Sequence, residues 1–188
     1  MAFAPPAVTD PDRLAALRRL VLIDSPPNPT FDRLTVLAAQ LLEAPAALLT
    51  LVDADRQFFV SACGLPEPLL AARQTPLDYS ICQHAVAAQR PLIVGDTQSD
   101  PLLADNAAVT ELGVAAYAGM PLITPDGHAV GALCVIDFVV RDWTDDQLMI
   151  LTHLAEISMD EIRLHFLDRV AARRRQWRGV GVRTAGFD

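Results

Sequence analysis

The sequence predicts an α+β domain: a central antiparallel sheet of about five or six strands with helices packed on it. Three observations carry this. Two stretches near the start repeat apolar residues at three- and four-residue spacing. The strand-like stretches that follow come as pairs joined by short polar turns, and hairpin-linked strands are antiparallel. One long helical pattern closes the chain.

Taken in order, "PDRLAALRRLVLIDSPP" has an acidic, proline-containing start and sets Leu14, Leu17 and Val21 on one helical face, with Pro26 and Pro27 as its stop. "PTFDRLTVLAAQLLEA" places Phe31, Leu34, Leu37, Ala38 and Leu41 on a second amphipathic helix. "AALLTLVDADRQFFVSACG" reads as two strands around the turn Asp53-Ala54-Asp55-Arg56. The proline-dotted "LPEPLLAARQTP" reads as a loop, and "SICQHAVAAQ" as a short helix capped by Ser80. "RPLIVGD" is a brief strand ending at Gly95-Asp96, and "TQSDPLLADNAAVTELG" a loop with a short helix. "AAYAGMPLITPDGHAVGALCVID" is a hairpin turning at Pro125-Asp126-Gly127-His128. Thr144, followed by Asp145 and Asp146, caps a helix reaching about Arg175.

Bulk properties narrow the function classes. Hydrophobic residues make up 52% of the 188, which supports a globular core and argues against wholesale disorder. No uninterrupted apolar run is long enough for a membrane helix, and the start lacks a signal-peptide pattern, so no membrane insertion and a cytoplasmic setting are expected. Three cysteines make neither a CxxC pair nor a disulfide framework. Net charge is −8 and all 15 basic residues are arginine. Six of these follow Asp168, which leaves a strongly acidic body that repels nucleic acid. The expected division is a flexible segment over 1–10, a domain over 11–168 and an Arg-rich tail over 169–188. Arginines there suit a helix C-terminus or an anionic contact.

The stretches "SICQHAV", "PLIVGDTQSDPLLADN", "YAGMPLITPDGHAVGALCVID" and "WTDDQLMILTHLAE", in this order and spacing after the two helices and first hairpin, resemble GAF domains of bacterial signalling proteins. The resemblance spans roughly residues 11–168. It implies N-terminal helices and the long C-terminal helix on one sheet face. A ligand pocket would lie on the other face, under the loops around 64–84 and 96–114. It also implies a small-molecule or redox sensor module that dimerises through terminal helices. Most such relatives continue into an output domain. No room for one follows Trp143 here, so the chain is expected to be a free-standing module or a piece of a longer protein.

The stretch "LDYSICQHAV" concentrates the chemistry. One GAF branch, the free methionine-(R)-sulfoxide reductases, has a cysteine at a position like Cys82. Its attacking cysteine lies in a later loop that here reads "LLADN", with Leu103 and Ala104, so no catalytic residue is assigned. A redox pair of Cys82 with Cys63 or Cys134 requires the fold to bring two sulfurs together. Cys82 and His84 point about 200° apart on a helix, poor geometry for one metal ion, so no metal set and no cofactor are expected. The remaining reading is a pocket wall. Ser80 and Ile81 stand at a helix start, Asp96 at a strand end where it also suits an Asx-turn, and Tyr117 among small neighbours. Phe58 and Phe59 face opposite sides of a strand, and Phe59 is taken for the pocket. The candidate ligand set is therefore Phe59, Ser80, Ile81, Cys82, His84, Asp96 and Tyr117, with an unknown small molecule as ligand.

The last helix carries two apolar stripes. One runs Leu148, Leu151, Ala155, Met159, Ile162, Phe166, Val170, and the other Ile150, Leu154, Ile157, Leu164, Leu167. One covers the sheet; a second copy of the helix can cover the other, so a homodimer is expected, with Leu151, Leu154, Ile157 and Ile162 as its helix positions. The functional expectation is a ligand-responsive, non-enzymatic module read by a signalling partner. The alternatives are a ligand-free dimerisation module and a thiol-based redox sensor or enzyme.

Overall fold

The computed structural model describes residues 5–180, with side chains through residue 172. A six-stranded, wholly antiparallel sheet runs in the order β3-β2-β1-β6-β5-β4. Its strands are β1 (Ala46–Val52), β2 (Arg56–Cys63), β3 (Gln74–Pro76), β4 (Leu92–Val94), β5 (Ala116–Ile123) and β6 (Ala129–Asp137). The helices α1 (Pro11–Arg19) and α2 (Pro29–Leu41) precede it, α3 (Glu67–Ala72), α4 (Cys82–Ala88) and α5 (Ala107–Thr110) interrupt it, and α6 (Asp145–Val180) follows. No helix among the described residues is long and apolar enough to cross a membrane.

Two cores form because the central strands are apolar on both faces: every residue of β1 and β6 is buried. On one face Ala47, Leu49, Leu51, Phe58 and Val60 pack under α1, α2 and α6. On the other, Leu48, Phe59, Tyr117 and Cys134 pack under α4, α5 and the short turns around them. Phe58 and Phe59 thus divide as the strand period requires. A bulge on β2, opposite Leu49 and Thr50, then turns both Val60 and Ser61 toward the helices. Ser61 bonds Thr35 there at 2.8 Å.

Local chemistry sets the helix ends. Asp10 accepts from the Arg13 N–H and Asn28 from the Thr30 N–H. Thr144 and Gln147 form a reciprocal box: the Gln147 N–H donates to Thr144 Oγ1 at 3.2 Å, and the Thr144 N–H to Gln147 Oε1 at 3.1 Å.

Several expectations need correction. The first helix stops at Arg19 and does not run to Pro26: Val21 turns left-handed at φ 55° and is exposed. The stretch taken as a loop over 65–76 holds α3 and the edge strand β3, because its prolines sit where helix starts and sheet edges accept them. Residues Pro6–Thr9 make a 3-10 turn, Val8 is fully buried, and the buried Arg13 guanidinium donates to its carbonyl at 2.9 Å. Helix α6 continues past the expected boundary at 169 to Val180. The side chains of Arg173, Arg174, Arg175, Arg178 and Arg183, like residues 1–4, lie outside the described residues.

Of the four positions expected to pair two copies of α6, Leu151 and Ile162 are fully buried and Leu154 nearly so, all in the subunit's own core. Only Ile157 faces outward. The sheet claims the stripe with Leu151 and also Leu154, leaving Ile157, Leu164 and Leu167 exposed at 48%, 55% and 58%. Adjoining α2 exposes Leu37 and Leu41 as well.

Candidate functional site

A cavity of about 50 Å³ lies between the sheet and the short helices. Its floor comes from strands: Leu48 of β1, Gln57 and Phe59 of β2, Tyr117 of β5, Cys134 and Ile136 of β6. Ile81 and Cys82 close one side at the start of α4, and half-exposed Leu65, Leu69, Tyr79 and Leu112 form the outer end. The Tyr79 hydroxyl donates to the Glu111 carboxylate, which joins two pieces of that rim.

Glycine makes the floor possible. Tyr117 and Gly119 share one face of β5, and the phenol lies directly over Gly119, where a Cβ would come within 2.1 Å of the hydroxyl oxygen. The small-residue run around Tyr117 therefore serves close packing of the ring, which is 1% exposed. Its hydroxyl donates to Cys82 Sγ at 3.2 Å, and Cys82 Sγ stands 3.5 Å from Cys134 Sγ. Hydrogen bonding from Cys134, with Tyr117 adding to it, holds the Cys82 thiol below its ordinary value against burial that pushes it up. The same bond, together with burial, raises Cys134, and burial raises Tyr117.

A polar ring flanks this floor. The Ser80 hydroxyl donates to Gln57 Oε1 and accepts from the Gln83 N–H at 3.1 Å, so it does cap α4, one residue ahead of the helix's first flanking position. Gln83 Nε2 donates to the Leu77 and Ser80 carbonyls at 2.7 and 2.9 Å. Thr75 Oγ1, in the cavity wall, and Gln83 Oε1 are buried with no hydrogen-bond partner among the described residues. The Ser80 N–H donates to Leu77 O, so it is not free for an anion.

Of the candidate set, Phe59, Ile81, Cys82 and Tyr117 line the cavity, and Ser80 reaches it through Gln57. His84 and Asp96 do not line it. His84 points elsewhere from α4, as its spacing from Cys82 requires, and burial lowers its imidazole while Asp100 opposes. Asp96 is a loop cap, accepting from the Gln98 and Ser99 N–H groups at 3.1 and 3.3 Å and from the Ser99 hydroxyl at 2.7 Å. Cys63 lies toward the helix-covered face, its thiol 3.6 Å from Thr35 O, so the sheet separates it from Cys82. No group of three or more metal-ligating side chains occurs among the described residues. Gln57, Thr75 and Cys134 were not anticipated as cavity residues. Gln57, a polar residue opening the apolar run of β2, was the available signal, and Thr75 lay in a polar stretch with none.

The GAF domain family model matches residues 26–161. A cyclic di-GMP phosphodiesterase of Pseudomonas aeruginosa is 32% identical over 169 residues, 89% of this chain, and the chain spans 28% of that protein's length. The solved GAF domain of PixJ from Thermosynechococcus elongatus, in its blue-light-absorbing form, superposes with a TM-score of 0.60 at 20% identity, over 87% of this chain and 95% of that one. The free methionine-R-sulfoxide reductase of Neisseria meningitidis, solved with its substrate, does so with a TM-score of 0.58 at 18% identity, over 82% and 93%. At these identities the two solved structures speak to the fold.

Proposed function

We propose that this chain, which belongs to the GAF domain family, is a regulatory module of bacterial signal transduction that takes a small molecule into the cavity beneath α4. The ligand reaches Thr75 and Gln57, and the resulting shift of the short helices passes through β5 to α6 and a signalling partner. The observation that carries the reading is Thr75 Oγ1, a buried hydroxyl without a partner among the described residues, in a mostly apolar cavity wall, which a ligand polar group would satisfy. Helix α3 supports it, because none of its residues is buried and the roof can lift at small cost. The cavity holds a ligand of few heavy atoms; a cyclic dinucleotide is far larger than about 50 Å³. Similarity to the phosphodiesterase therefore supports a place in a signalling pathway, with that protein's own substrate left to it.

Two copies associate through the outer stripe of α6, and the module works in the cytoplasm, where its resting state carries three free thiols. It binds without turnover. A second reading, a dimerisation module whose cavity is only packing space, draws on the small volume. Native mass spectrometry of protein from its host, followed by a thermal-shift panel of small metabolites on wild type and Thr75→Val, separates the two. A retained or stabilising molecule whose effect Thr75→Val removes upholds sensing. No bound mass and no shift across the panel leaves the dimerisation module.

A further inference from the structure

Two cysteines 52 positions apart in sequence meet at the cavity floor, one from the start of α4 and one from the middle of β6, with their sulfurs 3.5 Å apart. A disulfide brings its sulfurs to about 2.0 Å, so closing it calls for side-chain rotation and an approach of α4 to β6. Both sulfurs line a cavity that reaches the half-exposed rim at Leu65, Leu69 and Leu112. The cavity admits molecules of a few heavy atoms. The Tyr117 hydroxyl donates to Cys82 Sγ, a contact that favours the thiolate there over Cys134. From this juxtaposition we infer that Cys82 and Cys134 form a peroxide-responsive dithiol, with Cys82 the attacking sulfur and Cys134 the resolving one.

The chemistry balances within the site. Cys82 gives up its proton and the thiolate attacks one peroxide oxygen; the O–O bond breaks, and the departing oxygen leaves with that proton as water or an alcohol. The product is a sulfenic acid on Cys82, the sulfur oxidised by two electrons and the peroxide reduced by two. Cys134 Sγ then attacks Cys82 Sγ, the S–OH bond breaks, and hydroxide departs with the Cys134 proton as water. The net result is one disulfide from two thiols. Tyr117 loses its sulfur acceptor and α4 is tied to β6, beside the strand whose Met120 meets Thr152 of α6. The proposal deepens the regulatory reading at the same cavity and names a small peroxide as its input. Its product is covalent and needs no reversible ligand, so the two can fail separately.

The test is peptide mapping of the whole purified chain after limited hydrogen peroxide and alkylation under denaturing conditions. Trypsin spares the Arg90-Pro91 bond, so Cys82 and Cys134 fall on one peptide, 74–141, while Cys63 falls on 57–73. Expected is loss of two hydrogens from 74–141 with both its alkylation sites closed, while 57–73 stays alkylated. A further cut before aspartate leaves the two halves joined only by sulfur, and dithiothreitol separates them. Cys134→Ser is expected to accumulate a dimedone-reactive Cys82, and bulky cumene hydroperoxide to react far more slowly than hydrogen peroxide. Oxidation of Cys63 in preference, absence of the Cys82–Cys134 linkage in folded wild type, or equal rates with both peroxides would overturn the proposal. The wild-type linkage alone decides it if the variant does not fold.

Discussion

Gly119 holds the phenol of Tyr117 against the sheet. An alanine Cβ would sit 2.1 Å from the hydroxyl and 2.5 Å from the ring carbon bearing it, and the buried ring could yield only toward the small cavity, at the expense of its bond to Cys82. Gly119→Ala is therefore expected to cost about 3 kcal/mol and to lower the melting temperature by roughly 6–12 °C, as a thermal melt would show. Thr75→Val acts in the opposite direction. It keeps the shape of a buried side chain whose hydroxyl has no described partner, so the free protein should gain about 1 kcal/mol in chemical denaturation. His84 brings a pH dependence. Burial holds its folded-state value below the ordinary one of about 6.5. Between those two values the unfolded chain carries the extra proton, so stability falls as pH drops through about 6.5 and levels off below the folded value. Melting curves across that range should slope downward for wild type and less for His84→Gln; parallel slopes would refute the assignment. At this scale the sequence showed residue types but not pairings. Phe59, Ile81, Cys82 and Tyr117 were legible from strand alternation and a helix start. Cys134 meeting Cys82 was not, because α4 docking across β6 is a long-range event without local pattern.

Helix ends show where local rules suffice. Thr144 was readable as the cap of α6 because its contact with the Gln147 N–H lies within three residues, and Asp10 and Asn28 cap α1 and α2 through contacts just as local. The end of α1 was not readable. Val21 occupies the left-handed position after it, where glycine or asparagine is the usual signal and a β-branched residue is strained. Without that signal the apolar period ran on to Pro26. Val21→Gly should relieve the strain and stabilise by about 1 kcal/mol, seen as a higher denaturant midpoint with unchanged slope. The α2 terminus is held instead by a distant side chain. Arg141 donates to the Leu42 and Glu43 carbonyls at 2.9 Å, pairs with buried Asp137 at 2.7 Å and stacks on Trp143. No sequence period announces such a clamp. Arg141→Ala strips partners from two carbonyls and a carboxylate at once, so a loss of about 3 kcal/mol is expected. Arg141→Lys should recover little of it, since one ammonium cannot span that fork.

For the whole molecule, the two stripes of α6 pose a question of stability and association together. Leu151 and Ile162 are spent on the subunit's own core, whereas Ile157, Leu164 and Leu167 lie more or less half exposed along one side. The helix spans 36 residues, about 54 Å, and among its described side chains Ile162 is the last that is fully buried. An apolar row of this kind on a helix that outlasts its own sheet is best covered by a copy of itself. Replacing Leu151 with aspartate puts a charge in the core and should unfold the chain. Replacing Ile157 and Leu164 with aspartate adds charge only where solvent already reaches, so the far-ultraviolet spectrum should persist while the mass by light scattering falls from two chains to one. If wild type already runs as a single chain at tens of micromolar, or if the double variant stays paired, the outer stripe is not the joint. The signal from the cavity would then have to leave through another face.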